Sequence, residues 1–285
     1  MSINPFQAQA IEVALNGRYK VVRELRVGGQ GAVFQAHRLL TQGGDRTDEL
    51  VALKLHLDPR QDIRVEREIK AMLNMSHPCL SRMVEHGTCD IGGAEIRYIA
   101  WEFIDGIALD TRLMSGPLDV ASVIRIASDV SSAISAIWKK RIVHRDVNPK
   151  NIMLRNSGGA VLIDLGGARH LDERSVTAPG STFGTLGYFS PEQYRAERAL
   201  TSASDVFSLG VVLEQSLSGR HPTNFDQHRL VAAPPRCLDV CRSTDNKLAE
   251  VVDRMLSVRA AFRPSVEELL STFSTLGRET NGISL

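Results

Sequence analysis

The chain has 285 residues, 43% hydrophobic and 24% charged, enough to bury a full core in one large domain or two modest lobes. Lys and Arg number 34 against 33 Asp and Glu, a formal net charge of +1, so charge makes no case for nucleic acid or an anionic membrane surface as partner. With 22 Gly, 11 Pro and 4 Cys the composition excludes a low-complexity chain and a disulfide scaffold. No run approaches the roughly 18–20 apolar residues of a membrane helix, so no membrane insertion is expected. The first twenty residues, with Asn4, Gln7, Gln9 and Glu12, lack the basic-then-apolar order of a signal peptide. Cys237 and Cys241 stand four apart, with no second pair or His cluster to complete a zinc set. The expectation is a reduced, cytoplasmic protein with free thiols.

In chain order, residues 1–17 read as a short lead-in, helical over 7–15 and stopped by Asn16-Gly17. Residues 18–101 are mostly strand-like, with strands expected at 19–25, 32–36 and 50–55. The polar stretch 41–48, rich in Gly and Asp, reads as the hairpin loop between the last two. One helix interrupts the strands at 63–75, and further strands are expected at 83–87 and 96–102. After Gly106 the period changes. Val120, Val123, Ile124, Ala127, Val130, Ile134, Ile137 and Trp138 recur at threes and fours, which predicts a long amphipathic helix capped by Asp119. A second apolar helix spans 203–218 and ends at Gly219, and a last one covers 266–276. A strand-rich third joined to a helix-rich remainder makes an α+β chain, without internal repeats.

Gly28-Gly29-Gln30-Gly31 lies between two strands, where backbone N–H groups could approach phosphates; glycines that only turn the hairpin are the competing reading. Lys54 ends the apolar run Val51-Ala52-Leu53, a surface position unless Glu68 on the next helix reaches it. Paired, the two could hold phosphate oxygens. The segment from Ile142 to Leu154 sets Asp146 and Asn151 five residues apart in a loop closed by apolar flanks. Thirteen residues after Asn151, Asp164 ends the short strand Val161-Leu162-Ile163 and is followed by Leu165-Gly166. Asp164 and Asn151 offer the hard oxygens magnesium prefers, and Asp146 could orient a hydroxyl or accept its proton. Each alone could be a turn residue; their order together argues for a site.

These residues, in this order, resemble the protein-kinase superfamily, in particular its bacterial eukaryotic-like Ser/Thr branch, over residues 18–276. The resemblance implies a bilobal fold. A small antiparallel-sheet lobe with one helix would cover 18–101, a hinge 102–106 and a larger helical lobe 107–276. Residues 1–17 would be an N-terminal extension and 277–285 a tail. It also implies ATP and magnesium, with transfer of the terminal phosphate to Ser or Thr of protein substrates, and self-association for autophosphorylation. Gly28, Gly31 and Val33 match the glycine-rich loop, and Lys54, held by Glu68, the lysine that grips the inner phosphates. Leu25, Val33, Ala52, Met153 and the backbone of Glu102 and Ile104 would surround adenine, with Trp101 closing the back. Asp146 matches the catalytic aspartate, Asn151 and Asp164 the metal ligands, and Thr185 the threonine that hydrogen-bonds nearby. Asp205 and Gly210 match the central helix of the large lobe, and Arg263 the arginine that pairs with Glu192 in Ser190-Pro191-Glu192. Arg145 beside Asp146 implies control by phosphorylation between Asp164 and Glu192, with Thr177 and Ser181 the leading acceptors.

Three positions depart from the family. Arg26 replaces the first glycine of the loop, and Leu165 replaces a phenylalanine. Asn148 stands where the family has a lysine that meets the transferring phosphate, so a donor is kept and a charge lost. Lys150, two positions on in what reads as an extended loop, would point the same way and could restore that charge. An active Ser/Thr kinase, a nucleotide-binding scaffold without phosphotransfer and a small-molecule kinase all remain open at this point. The peptide-binding look of the stretch from Thr185 to Glu192 weighs against the last.

Overall fold

The computed structural model describes residues 8–28, 31–42, 45–56, 62–73, 75–170, 184–197, 199–240 and 246–280. The chain divides into two compact units, Met1–Ser76 with Ser81–Ile104, and His77–Leu80 with Asp105–Leu285.

In the first unit, helix α1 (Ala8–Ala14) precedes strands β1 (Tyr19–Gly28), β2 (Gly31–Gln42) and β3 (Asp45–His56). Helix α2 (Asp62–Met72), β4 (Met83–Ile91) and β5 (Ala94–Glu102) follow, and the antiparallel sheet is ordered β1-β2-β3-β5-β4. Register explains its faces. Ala32, Phe34 and Ala36 lie opposite Leu55, Leu53 and Val51, and all six are buried. Leu53 and Leu55 continue this face to Ala100 and Tyr98 on β5. Lys54 and Ala52, one residue out of step, take the other face. Residues read as a lead-in supply part of this core, because Ile11 and Leu15 are fully buried in it.

Two hairpins run further than their composition suggests. β2 and β3 stay paired as far as Gln42 opposite Asp45, so most of the stretch read as a loop is ladder. Backbone pairing needs no apolar side chains, and the polar run concealed it. β4 and β5 likewise extend to a turn at Gly92-Gly93, both with positive φ. Helix α2 stops at Met72, short of the expected 75.

The second unit begins with β6 (Gly106–Ala108), α3 (Leu109–Leu113), α4 (Val120–Trp138), β7 (Ile142–Val143), β8 (Ile152–Arg155), β9 (Ala160–Leu162) and β10 (Arg169–His170). Helices α5 (Pro191–Tyr194), α6 (Ser202–Ser218), α7 (Gln227–Ala232), α8 (Cys237–Val240), α9 (Asn246–Met255) and α10 (Val266–Thr280) complete it. Small sheets ordered β6-β8-β9 and β10-β7 carry the loops of interest. Asp119 caps α4 by accepting from Ser122 N at 2.8 Å, and Gly219 ends α6 in the left-handed region at φ 72°. The expectation about apolar runs needs correcting here: α4 has the length and mean hydropathy, 1.4, of a membrane span. That apolarity serves burial, since Val123, Ala127, Val130, Ile134 and Ile137 are wholly covered and α4 packs on α6 and α10. Helix α10 continues through Gly277, past its expected end.

Candidate active site

In the first unit, β3 delivers Lys54 to the face opposite the core, where α2 presents Glu68. The ammonium lies 3.1 and 3.0 Å from the two carboxylate oxygens, and the glutamate side chain is 1% exposed. Burial makes each charge dependent on the other. Val33, opposite Lys54 in the register, and Ala52 share that face. The turn from β1 to β2 requires glycine at Gly31, where φ is +129° and a Cβ would fall 1.9 Å from the Leu55 carbonyl oxygen. Arg26 is exposed and sits at a register shift in β1, opposite Val33, and Leu25 beside it is also exposed. At the end of the sheet Glu102 donates its N–H to Arg82 O at 2.9 Å, and Ile104 is buried.

In the second unit, β7 leads into a loop anchored from beneath by α6. The fully buried carboxylate of Asp205 accepts the backbone N–H groups of His144 and Arg145, each at 2.9 Å, and burial pushes its carboxyl above the usual range. The chain turns sharply here, with Arg145 at φ +65°, and Arg145 Nε donates to Gly167 O at 2.6 Å. Asp146 is then held by uncharged donors. Thr185 Oγ1 and Asn148 Nδ2 each donate to its Oδ1 at 2.8 Å, and Asn151 Nδ2 donates to its Oδ2 at 3.1 Å. Asn148 also reaches Thr185 Oγ1 at 3.1 Å, so the three side chains close on one another. Burial raises the Asp146 carboxyl above the ordinary range; the bond from Thr185 opposes that, and the Asp164 charge reinforces it.

Asn148 also fixes the next turn, because its Oδ1 accepts from Lys150 N at 2.9 Å and caps the 3₁₀ turn Pro149–Asn151. This corrects the reading of an extended loop. Asn148 is 1% exposed while Lys150 points to solvent, so the two do not share a side. Met153 lies on β8 between Ala108 and Val161. Asp164 has a left-handed backbone, φ 62°, stabilised by its own Oδ1 accepting from Gly166 N at 3.0 Å. Thr177 and Ser181 lie outside the described residues.

The stretch after Thr185 is pinned by residues whose roles the sequence reading did not anticipate. Gln227, on α7, accepts from Gly187 N at 2.8 Å and Phe189 N at 3.2 Å and donates to Phe189 O at 2.9 Å. Ser208 donates to Tyr188 O at 2.7 Å, and Gln193, in a capping box with Ser190, donates to Arg145 O at 2.9 Å. Just beyond, Glu192 receives Arg263 at 2.7 and 3.0 Å, as the resemblance implied. All five guanidinium hydrogens of Arg263 are used, the others on Ala203, Ser257 and Val258 carbonyls.

The arrangement of Asp146, Asn151, Asp164 and Thr185 on one fold can be set beside known proteins. Residues 19–273 match the family model described as "Protein kinase domain". The chain belongs to the protein kinase family. Its two units are the small and large lobes of that fold. Among relatives, the "Probable serine/threonine-protein kinase PknB" of Lactococcus lactis subsp. lactis is 33% identical over 220 residues, 75% of this chain and 34% of that protein. The serine/threonine-protein kinase PrkC of Bacillus subtilis is 32% identical over 214 residues, 73% of this chain and 31% of that protein. The PknB of Mycolicibacterium smegmatis is 33% identical over 211 residues, 73% and 33% respectively. The chain thus spans about a third of the length of the curated relatives it matches. Within the kinase fold two of its three departures have local explanations: Leu165 is a buried apolar residue, and Asn148 spends its amide on Asp146 and Thr185.

Proposed function

We propose that this chain is an ATP- and magnesium-dependent serine/threonine kinase domain of the cytoplasm, acting on hydroxyls of proteins and on itself at Thr177 and Ser181. The observation that carries the reading is Asp146, a half-buried carboxylate oriented by three uncharged donors, Thr185, Asn148 and Asn151. Uncharged donors aim a base without neutralising it, and burial strengthens its basicity. A serine or threonine hydroxyl gives its proton to Asp146 as its oxygen attacks the terminal phosphorus of ATP. The bond to the bridging oxygen breaks and ADP leaves.

Lys54, kept in place by Glu68, grips the inner phosphates. By the family resemblance, Leu25, Gly28, Gly31, Val33, Ala52 and the backbone of Glu102 and Ile104 in the first unit, and Met153 in the second, are the residues that would contact the nucleotide. The donor set suits magnesium, which takes one or two protein oxygens and completes its shell with phosphate and water. Asn151 commits its amide nitrogen to Asp146, which leaves its carboxamide oxygen as a ligand beside the Asp164 carboxylate. When bound, the ion neutralises charge on the phosphates.

The test is label transfer from γ-labelled ATP with magnesium, to the chain alone and to dephosphorylated casein, beside Asp146→Asn. Transfer by the wild type that disappears in Asp146→Asn and on chelation is the expected result. No transfer by the wild type, or equal transfer by the variant, overturns the reading in favour of a nucleotide-binding scaffold.

A further inference from the structure

The carbonyl of Gly187, two residues after the threonine that touches Asp146, is held by one side chain. His221 Nε2 lies 2.7 Å from it. The other ring nitrogen, Nδ1, receives two backbone N–H groups, from Phe225 at 2.9 Å and Thr223 at 3.3 Å. A nitrogen that accepts N–H groups carries no proton, so the ring is the neutral tautomer with its proton on Nε2. It is 8% exposed, stacked on Phe225 with centroids 4.3 Å apart and edge-on to Tyr188 at 5.2 Å.

The loop that His221 gathers is strained. Asn224 and Phe225 are consecutive residues in the left-handed region, at φ 51° and 65°. Such a conformation in a bulky residue persists only where surrounding contacts impose it. Gly187 completes the fit: at φ +95°, a Cβ there would stand 2.9 Å from the Phe225 ring and 3.2 Å from His221 Nε2. One imidazole therefore fastens two segments at once, the acceptor-side segment through Nε2 and the strained loop through Nδ1.

We propose that His221 is a positioning residue for the protein acceptor: its neutral form clamps Gly187, and through it Thr185, to the strained loop, and protonation of Nδ1 expels that loop's N–H groups and so loosens the clamp. A proton on Nδ1 would face two N–H donors, so the imidazolium and this loop geometry exclude each other. The ionisable groups around the ring are few. Tyr188 places its hydroxyl on Gln215, Asp226 accepts from Arg229 N at the start of α7, and Arg220 precedes the histidine. Among the described residues no carboxylate forms an ion pair with the ring. Burial lowers its pKa below the ordinary histidine value, against the opposing pull of the Gly187 carbonyl, so the neutral form prevails at pH 7. The proposal rests on the kinase reading above and names how that same site holds its acceptor.

The test measures KM for dephosphorylated casein and for ATP at pH 7.5 and at an acid pH where nitrogen NMR shows the His221 ring charged. In the wild type, casein KM should rise roughly fivefold to tenfold at the acid pH, once the ring is charged, while ATP KM stays constant. His221→Gln keeps a donor for Gly187 and cannot titrate, so it should hold the low KM and flatten the profile. His221→Phe keeps the stacking alone and should show the raised KM at both pH values. A ring carrying its proton on Nδ1 at pH 7.5, a wild-type casein KM that is the same for the neutral and the charged ring, or an unchanged profile in His221→Gln would each overturn the proposal. If His221→Phe does not fold, the glutamine variant and the NMR tautomer decide. Failure of the kinase reading looks different: no protein transfers phosphate at all, while the tautomer remains readable.

Discussion

Asp146 takes its character from neighbours that donate without carrying charge, and this fixes how its pH dependence should respond to mutation. As the proposed base, Asp146 works when deprotonated, so the rate should rise with pH through its pKa. Burial lifts that pKa, and the bond from Thr185 pulls it down. Thr185→Val should therefore move the acid limb of kcat/KM upward in pH and lower kcat by roughly tenfold, the worth of one hydrogen bond. A limb that stays in place would detach Thr185 from the base. Lys150 is the contrasting case. It is exposed, so Lys150→Glu should spare turnover and shift a peptide array toward basic sequences by about fivefold, the effect of reversing one screened charge. Loss of turnover on every peptide would place Lys150 at the phosphate instead. Asp146, Asn151 and Asp164 were legible because their spacing is local and their chemistry specific. The direction of Lys150 was not, because it depends on a 3₁₀ turn that the side chain of Asn148 caps.

At the scale of elements, the ion pair of Glu192 and Arg263 ties α5 to the turn that precedes α10, with Ser204 of α6 as a third partner at 2.7 Å. Burial alone would raise the Glu192 carboxyl, but Arg263 and Ser204 outweigh it and the net shift is downward. The pair's stabilisation is accordingly present above the unfolded glutamate value of about 4.3 and is lost as pH falls through the folded one. Arg263→Ala leaves a buried carboxylate unpaired and should cost about 3–5 kcal/mol in urea unfolding at pH 7. In that variant the carboxyl is raised rather than lowered, so the gap to wild type should narrow on acidification. A gap that is constant with pH would mean packing, not charge, sets the loss. Helices α4 and α6 were legible from Asp119 and Gly219 because caps and periodicity agreed. Helix α7 escaped notice because it is six residues long and its buried Gln227 has the polarity of a surface residue. Helix α9, with Leu248, Ala249, Val252 and Met255 on one buried stripe, carried a readable period that the flanking polar residues masked.

For the whole molecule, the boundary of the kinase fold is the point where sequence and structure differ most. The family match starts at residue 19, yet α1 lies before it and contributes to the core of the first unit. Ile11 and Leu15 are fully buried, and Glu12 Oε1 accepts from Val21 N at 2.9 Å, so the helix is fastened by packing and by a hydrogen bond to β1. Nothing in the motif pattern could show this, because a short amphipathic lead-in with one apolar side reads the same whether or not it finds a partner. The consequence is measurable because the two tryptophans fall in different units, Trp101 on β5 and Trp138 at the end of α4. Ile11→Ala removes buried methyls and should cost about 2–5 kcal/mol, as large-to-small core substitutions do. In a Trp138→Phe background, the urea midpoint read by Trp101 should fall accordingly, while Val13→Ala, at a position 71% exposed on the same helix, should leave it unchanged. A Trp101 midpoint that Ile11→Ala does not move would show that α1 adds nothing to the first unit, and would return the lead-in to the extension its sequence suggests. Reading Trp138 in a Trp101→Phe background then shows whether the loss stays in the small lobe or unfolds both units in step.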